Sequence, residues 1–355
     1  MHDLNTNVNS LIWVFQGGRE GDNAQARALA KSVGGTLIIK NLDWSPLRYL
    51  PNSLLGSSLS ILTSQSAAEL RPPWPHLVIA VGRRTVPAAL WIKEQSSRTV
   101  LVQLGRPRAP SWKFDLVVTT PQYGLAPGSN VRQVLLPIVE SRGDSALHSR
   151  WGKEFAHLPR PWVGVLVGGT RFPSRFDRAA AQKLALMANA RVRELGGSAL
   201  YSTSPRTGPD QVAILARGLD VAGHVHRWQP KTDNPHQFIL EHADRFIVTD
   251  DSISMVAEAC RSRRPVEVFE VPRSLLSITW EARSGLSGWL NEMGLLSPPR
   301  NTARVRQILA ERGQVKLLGK EEGRDWVPYE DEWPAIVKEI RALVRTARPG
   351  AYPTQ

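Results

Sequence analysis

The stretch WVGVLVGGTRFPSRFDRAAAQKLALMANARVREL, residues 162–195, decides how this chain folds. It opens on a short apolar run, passes through a glycine pair, and after a polar turn becomes a long Ala- and Leu-rich segment of good helix formers. Buried strand, Gly-rich loop and helix in that order are the opening unit of a parallel α/β sheet. The same order occurs near the start of the chain: SLIWVFQ (10–16), then GGREGD (17–22), then NAQARALAKSVGG (23–35). The chain is therefore a pseudo-repeat, and each copy predicts the start of its own sheet.

Outward from the two copies, each half continues in alternation. The first offers TLIIK (36–40), HLVIAVG (76–82) before the helical RRTVPAALWIKEQ, then TVLVQL (99–104), DLVVTT (115–120) and RQVLLP (132–137). The second offers SALYST (198–203), a helix in DQVAILARGL, HVHRW (224–228), a helix in NPHQFILEHA, RFIVTD (245–250) and PVEVFEV (265–271). Continuous apolar strands between helices suit sheets covered on both faces. The fold class is α/β, with two doubly wound Rossmann-like domains. The expected division is 1–158, 159–330 and a tail 331–355. The joint is placed at HLPRPW (157–162), where Pro159 and Pro161 favour an extended connector. In the tail, Ile336, Val337, Ile340, Leu343 and Val344 share one face of a helix that should pack on a domain surface, with a return to the first domain as one option.

Size and composition agree. At 355 residues, 42% hydrophobic, with 27 Gly and 26 Pro, the chain is a folded, turn-rich protein large enough for two cores. Its single cysteine, Cys260, excludes an intrachain disulfide, so the cytoplasm is the expected location. No basic n-region opens the chain and no apolar window spans a bilayer, which leaves only peripheral contact with a membrane. The net charge of +13 is carried mostly by arginines in small groups, among them Arg83–Arg84, Arg106/Arg108 and Arg261/Arg263/Arg264. Such a surface favours anionic partners: nucleotide phosphates or an anionic membrane surface. Nucleic acid is not expected, since no helix-turn-helix, zinc knuckle or RNP-type motif is present. The 12 tryptophans are scattered and suit the core.

Ligands of open parallel sheets bind beyond the carboxyl ends of the strands, so the loops there hold the candidates. In IVTDDSISMVAEA (247–259) the strand-to-helix join carries Asp250, Asp251, Ser252 and Ser254. One helix cap needs one such residue. Four suggest a nucleotide phosphate held at the helix N-terminus. Glu258, about a turn into the helix, is placed to accept hydrogen bonds from ribose hydroxyls. Gly168, Gly169 and Thr170 allow a backbone to approach a ligand, although a tight βα turn explains a glycine pair equally well. Ser202, Thr203, Ser204 and Arg206 follow a strand, and Arg206 is suited to a bidentate phosphate contact. In the first half Gly17, Gly18, Gly21, Asn23 and Gln25 form an acceptor-side loop. It fits neither a dinucleotide fingerprint nor a P-loop. Asp22 and Gln25 match a capping box, and Glu20 and Asp22 are the candidate general bases. His224 and His226 share a strand face but lack a third ligand, so no metal and no cofactor is expected.

GDNAQ (21–25), HLVIAVGRR (76–84), TSPRT (203–207), NPHQFILEHAD (234–244) and VTDDSISMVAEA (248–259) together resemble the mitochondrial-fission "elongated mitochondria" family of plants and bacteria. The resemblance implies two domains facing a cleft, as in GT-B glycosyltransferases, with the second holding nucleotide and the first an acceptor. After TTPQ, where the family is expected to carry an acidic residue or a His-Asp pair, this chain has Tyr123. The function expected is a metal-independent transferase that uses a nucleoside-diphosphate sugar to build an envelope glycan or glycolipid. A nucleotide-sugar epimerase of the same architecture is one alternative. A non-catalytic membrane-associated adaptor with protein partners is the other, since plant members act as fission factors.

Overall fold

Each half of the alternating pattern condenses into a sheet of six parallel strands, and the computed structural model describes residues 10–18, 20–139, 145–230, 232–274, 290, 300–320 and 325–347. The chain divides into two compact units. Unit 1 comprises Met1–Glu140, Trp280–Arg300 and Glu332–Gln355, and unit 2 comprises Ser141–Thr279 and Asn301–Asp331.

In unit 1 the elements run β1 (Leu11–Gln16), α1 (Glu20–Val33), β2 (Thr36–Asn41), α2 (Asn52–Leu55), α3 (Ser64–Ala68), β3 (Leu77–Val81), α4 (Val86–Gln95), β4 (Val100–Leu104), β5 (Leu116–Thr119) and β6 (Val131–Gln133). The strand order is β2-β1-β3-β4-β5-β6. Side chains alternate across a strand, so β1 sends Ile12 and Val14 to one face and Trp13 and Phe15 to the other, all fully buried. That is why the run reads as continuously apolar. β2 departs from the expected buried strand: it forms an edge, and Ile38 and Ile39 are 39% and 41% exposed. RQVLLP pairs only over its first residues, because β6 ends at Gln133.

Unit 2 runs α5 (Ser145–Phe155), β7 (Trp162–Val167), α6 (Arg178–Leu195), β8 (Ser198–Thr203), α7 (Pro209–Gly218), β9 (Gly223–His226), α8 (His236–His242), β10 (Arg245–Thr249), α9 (Ile253–Arg261), β11 (Val266–Phe269), α10 (Thr302–Glu311) and β12 (Lys316–Leu317). Its order is β12-β11-β10-β7-β8-β9. Counted from β7, this is 3-2-1-4-5-6 read backwards, the strand order of the Rossmann fold. α6 starts where Asp177 accepts from the Ala180 N–H and stops at Gly196, which takes the left-handed conformation.

The last helix, α11 (Trp333–Thr346), belongs to unit 1. Trp333, Ile336, Val337, Ile340 and Val344 join the core beside α1, and the Trp333 indole donates to the Leu136 carbonyl at 2.9 Å. Each such side chain contributes about 1.5–3 kcal/mol when fully buried. Arg132 grips Glu339 through two bonds of 3.1 and 2.8 Å, and Arg341 donates to the carbonyls of Ser32 and Val33 at the end of α1. No described helix is long and apolar enough to cross a membrane.

Candidate functional site

The strand order of unit 2 reverses direction between β7 and β10, so their following loops diverge to opposite faces and leave a crevice at the carboxyl edge. Both loops are among those that the sequence singled out. Gly168 donates its N–H to Thr249 Oγ1 at 2.8 Å, and Gly169 donates to Asp251 Oδ2 at 3.0 Å. A Cβ built on Gly168 would lie 2.3 Å from the Asp251 carboxylate, and one on Gly169 would lie 2.1 Å from the Arg206 carbonyl. Here the two glycines answer a structural need, the close approach of neighbouring loops.

Asp251 is the brace. Its side chain is fully buried, it accepts from Gly169 and from Arg206 Nη1 at 2.8 Å, and its Oδ1 has no partner among the described residues. Burial pushes its carboxyl above the ordinary aspartate range, while the Arg206 charge and the bonds from Thr249 and Gly169 pull it back. The loop after β8 is held equally closely. Ser204 donates to the Gly168 carbonyl at 2.5 Å, Thr207 donates to that carbonyl as well, and Ser204 Oγ accepts from the Arg206 N–H at 3.2 Å. Arg206 is thus fixed at one edge of the crevice with about a third of its side chain exposed. Thr170 serves its own loop, accepting from the Phe176 N–H and donating to the Phe176 carbonyl.

At the N-terminus of α9, Ser252 is the cap residue by position, yet its side chain makes no capping hydrogen bond. Neither its hydroxyl nor that of half-buried Ser254 has a partner among the described residues. One turn beyond Ser254, Glu258 Oε2 meets His236 Nε2 at 2.9 Å, and His236 Nδ1 meets buried Ser202 Oγ at 3.1 Å. The three side chains form one chain of hydrogen bonds from β8 through α8 to α9. Because Ser202 is fully buried, it orients the imidazole, which in turn orients the carboxylate. Asp250 faces away from this group. It accepts from the Val271 N–H and pairs with Arg306 of α10 at 2.9 Å, and burial also raises its carboxyl.

In unit 1 the first Gly-rich loop is also internally braced. Gly17 donates to Asn23 Oδ1 at 3.0 Å and lies under Trp44, whose ring would be 2.2 Å from a Cβ there. The expected capping box is not formed: α1 begins at Glu20, so Asp22 lies inside its first turn and Gln25 donates to the Gly21 carbonyl at 3.2 Å. Glu20 pairs with Arg27 at 2.5 Å on the exposed side, while half-buried Asp22 has no partner among the described residues. Gly18 and Gly21 have open space at the Cβ position apart from Arg84, 3.7 Å from Gly18. His224 and His226 pack against Trp151 and Phe155, and burial lowers both imidazoles. Cys260 is wholly buried, which pushes its thiol up to about 12.

Sequence reasoning missed His236, Thr207 and Thr249. Each acts through a partner distant in the chain, and only the His236 position, at a helix start behind a proline, carried any local sign.

Residues 20–281 match the model of the family described as Mitochondrial fission ELM1. A curated relative, the mitochondrial fission protein ELM1 of Arabidopsis thaliana, is 30% identical over 303 residues, which covers 74% of this chain and 70% of that protein. Among solved structures, Os79 from O. sativa in complex with U2F and trichothecene superposes with a TM-score of 0.48 at 11% identity, over 94% of this chain and 100% of that one. The UDP-GlcNAc 2-epimerase from Neisseria meningitidis bound to UDP-GlcNAc gives 0.44 at 13% identity, over 85% and 98%. At these values the likeness says nothing of ligands.

Proposed function

The chain belongs to the Mitochondrial fission ELM1 family, and from that premise we propose that unit 2 binds a nucleoside-diphosphate sugar, as a metal-independent transferase of the GT-B type does. One observation carries the reading. At the reversal point of the unit 2 sheet, the N-terminus of α9 presents two serine hydroxyls that no helix cap uses. The first-turn N–H groups of a helix and its dipole favour an anion there. Ser252, Ser254 and those N–H groups would take the leaving diphosphate, and Arg206, held by Asp251, would add its charge. The amides of Gly168 and Gly169 are already donated within the unit and so shape this loop without touching the phosphate. Glu258, steadied by His236, would accept from the ribose hydroxyls. In unit 1, Asp22 is a better base for the acceptor hydroxyl than Glu20, whose carboxylate is spent on Arg27. The acceptor we propose is an envelope glycan or glycolipid.

Calorimetric titration of nucleoside diphosphates into the wild type, the double variant Ser252→Ala/Ser254→Ala and Glu258→Gln tests this. A hydrogen bond to a charged group is worth roughly 1.5–3 kcal/mol, so the double variant should bind more than tenfold more weakly. Its melting temperature should stay near that of the wild type, because no cap bond is removed. Glu258→Gln should weaken nucleoside diphosphates and spare inorganic pyrophosphate. Equal affinities in all three proteins would sink the reading. Product analysis with a binding nucleotide sugar would then separate transfer from epimerisation.

A second reading, an adaptor that docks on a membrane, draws on one surface. Leu47, Tyr49, Leu50 and Leu54, in the connection from β2 to β3, are 42%, 69%, 39% and 74% exposed, on a chain of net charge +13. Sedimentation with anionic vesicles should show binding that falls as salt rises. Binding that ignores salt, or none at low salt, would remove this reading.

A further inference from the structure

The reversal point of the unit 1 sheet lies between β1 and β3, and the loops that leave it carry arginine. β3 runs into Gly82-Arg83-Arg84 and its neighbour β4 into Gly105-Arg106-Pro107-Arg108. The two loops start level with each other, since Val81 pairs with Leu104 and the Gly82 N–H donates to the Leu104 carbonyl at 3.3 Å. Both glycines take positive φ, at 74° and 77°, which a side chain disfavours. Because β3 and β4 are parallel neighbours that end level, both arginine pairs follow the same carboxyl edge of the sheet. Arg108 also adopts positive φ, at 52°, a conformation that a side chain disfavours and that marks a constrained loop.

The loops are fastened together by a built support. The side-chain amide of Asn52, itself 94% buried, donates to the Arg83 carbonyl at 2.9 Å and the Pro107 carbonyl at 3.0 Å, tying one arginine loop to the other. Gln103 donates to the Gly82 carbonyl at 3.1 Å. Arg83 uses its guanidinium on the carbonyls of Leu50 and Arg48. Asn52 Oδ1, Gln103 Oε1 and Thr119 Oγ1 are buried with no partner among the described residues. Unsatisfied buried polar groups cost stability, so each calls for a partner such as a water, an ion or a ligand.

Arg84 stands over the reversal point. Its Nη1 is 3.7 Å from the position a Cβ on Gly18 would occupy, and its half-buried guanidinium has no hydrogen bond or ion pair among the described residues. Burial first, then the like charges of Arg108 and Arg300, push the Arg106 guanidinium down to about 10, while Tyr123 opposes them. Arg300 stacks over the Tyr123 ring at 5.0 Å.

We propose that the β1–β3 reversal point of unit 1 is a second anion site, in which Arg84 over Gly18, with Arg106 and Arg108 alongside, binds a phosphate group carried by the acceptor. Only the word acceptor rests on the function proposed for unit 2; the site stands without it. Planar guanidinium groups suit the paired oxygens of a phosphate.

Hydrogen exchange and titration with inorganic phosphate, glycerol phosphate and phosphatidylglycerol vesicles test the site. The proteins are the wild type, Arg84→Gln, Arg84→Lys and the Ser252→Ala/Ser254→Ala double variant. Phosphate should slow exchange over 82–86 and 105–109. Arg84→Gln should lose about tenfold in affinity, Arg84→Lys should recover part of it, and the serine variant should keep the unit 1 protection. If vesicles reproduce the loss and glycerol phosphate does not bind, the phosphate belongs to a lipid; if glycerol phosphate binds and vesicles do not, it belongs to a soluble acceptor. Either result supports the site. No protection over these two segments, or equal affinity of wild type and Arg84→Gln for all three probes, overturns it, whatever becomes of nucleotide binding in unit 2.

Discussion

The loops after β1 and after β7 are written alike, an apolar strand followed by two glycines, and they are filled by opposite chemistry. After β1, an aromatic ring presses on Gly17, and the helix starts almost at once. After β7, a buried carboxylate presses on Gly168 and a backbone carbonyl on Gly169, and an excursion of the chain precedes α6. The glycine pair therefore reports that something comes close. It does not report whether the visitor is apolar or charged, or whether it is a ligand at all.

The sharpest way to break this comparison is to add a methyl group at each loop. Gly169→Ala drives a Cβ into the backbone of the Arg206 loop, which cannot swing aside. It should cost at least the 1–3 kcal/mol typical of overpacking. Gly17→Ala meets the rim of an indole that is only partly buried, and that side chain can rotate. It should cost less than Gly169→Ala. Urea unfolding of both variants measures this, and an equal loss would show the two loops to be equally rigid.

Asn23→Ala sharpens it next. It leaves the Gly17 N–H without its acceptor and should cost about 0.5–1.5 kcal/mol in the same measurement. An unchanged midpoint would mean that Trp44 alone holds the loop.

A pH-dependent effect concerns Asp251, whose folded carboxyl titrates above its unfolded value of about 3.9. In that window the folded state binds more protons, so its contribution is full below the unfolded value and is lost as pH rises through the folded one. Asp251→Asn should remove this part of the decline in stability as pH rises above the ordinary aspartate range, while its amide oxygen still accepts from Gly169. A wild type and variant with parallel stability profiles would contradict the assignment.

The residues show why some of this was readable and some was not. Val163, Val165 and Val167 alternate with Trp162 and Leu166 on two buried faces, so the strand runs and the α/β class were plain in the sequence. The helix ends were legible where chemistry is local, as at Asp177 and Gly196. Edges were not: TLIIK is as apolar as its neighbour, and only the strand order reveals that one of its sides faces water. The loops with serine and aspartate stood out as polar breaks between apolar runs. The division of work among them did not, because Asp251 holds Gly169 and Arg206, and Glu258 meets His236, across separations that no local pattern encodes. The unused hydroxyl of Ser252 is likewise visible only once the helix start is seen.

The packing of α11 against α1 has a consequence for the order in which the protein is made. The first sheet leaves the ribosome before unit 2, yet Trp333, Ile336, Val337, Ile340 and Val344, which complete its core, are translated after unit 2. At about 5–20 residues per second, roughly 10–40 s separate the end of β6 from the arrival of α11. During that interval the nascent unit 1 exposes the apolar side of α1 while unit 2, between them in the chain, is still being made. Unit 1 thus starts before unit 2 and is completed after it, and a nascent chain arrested before α11 should be the form most readily captured by a chaperone.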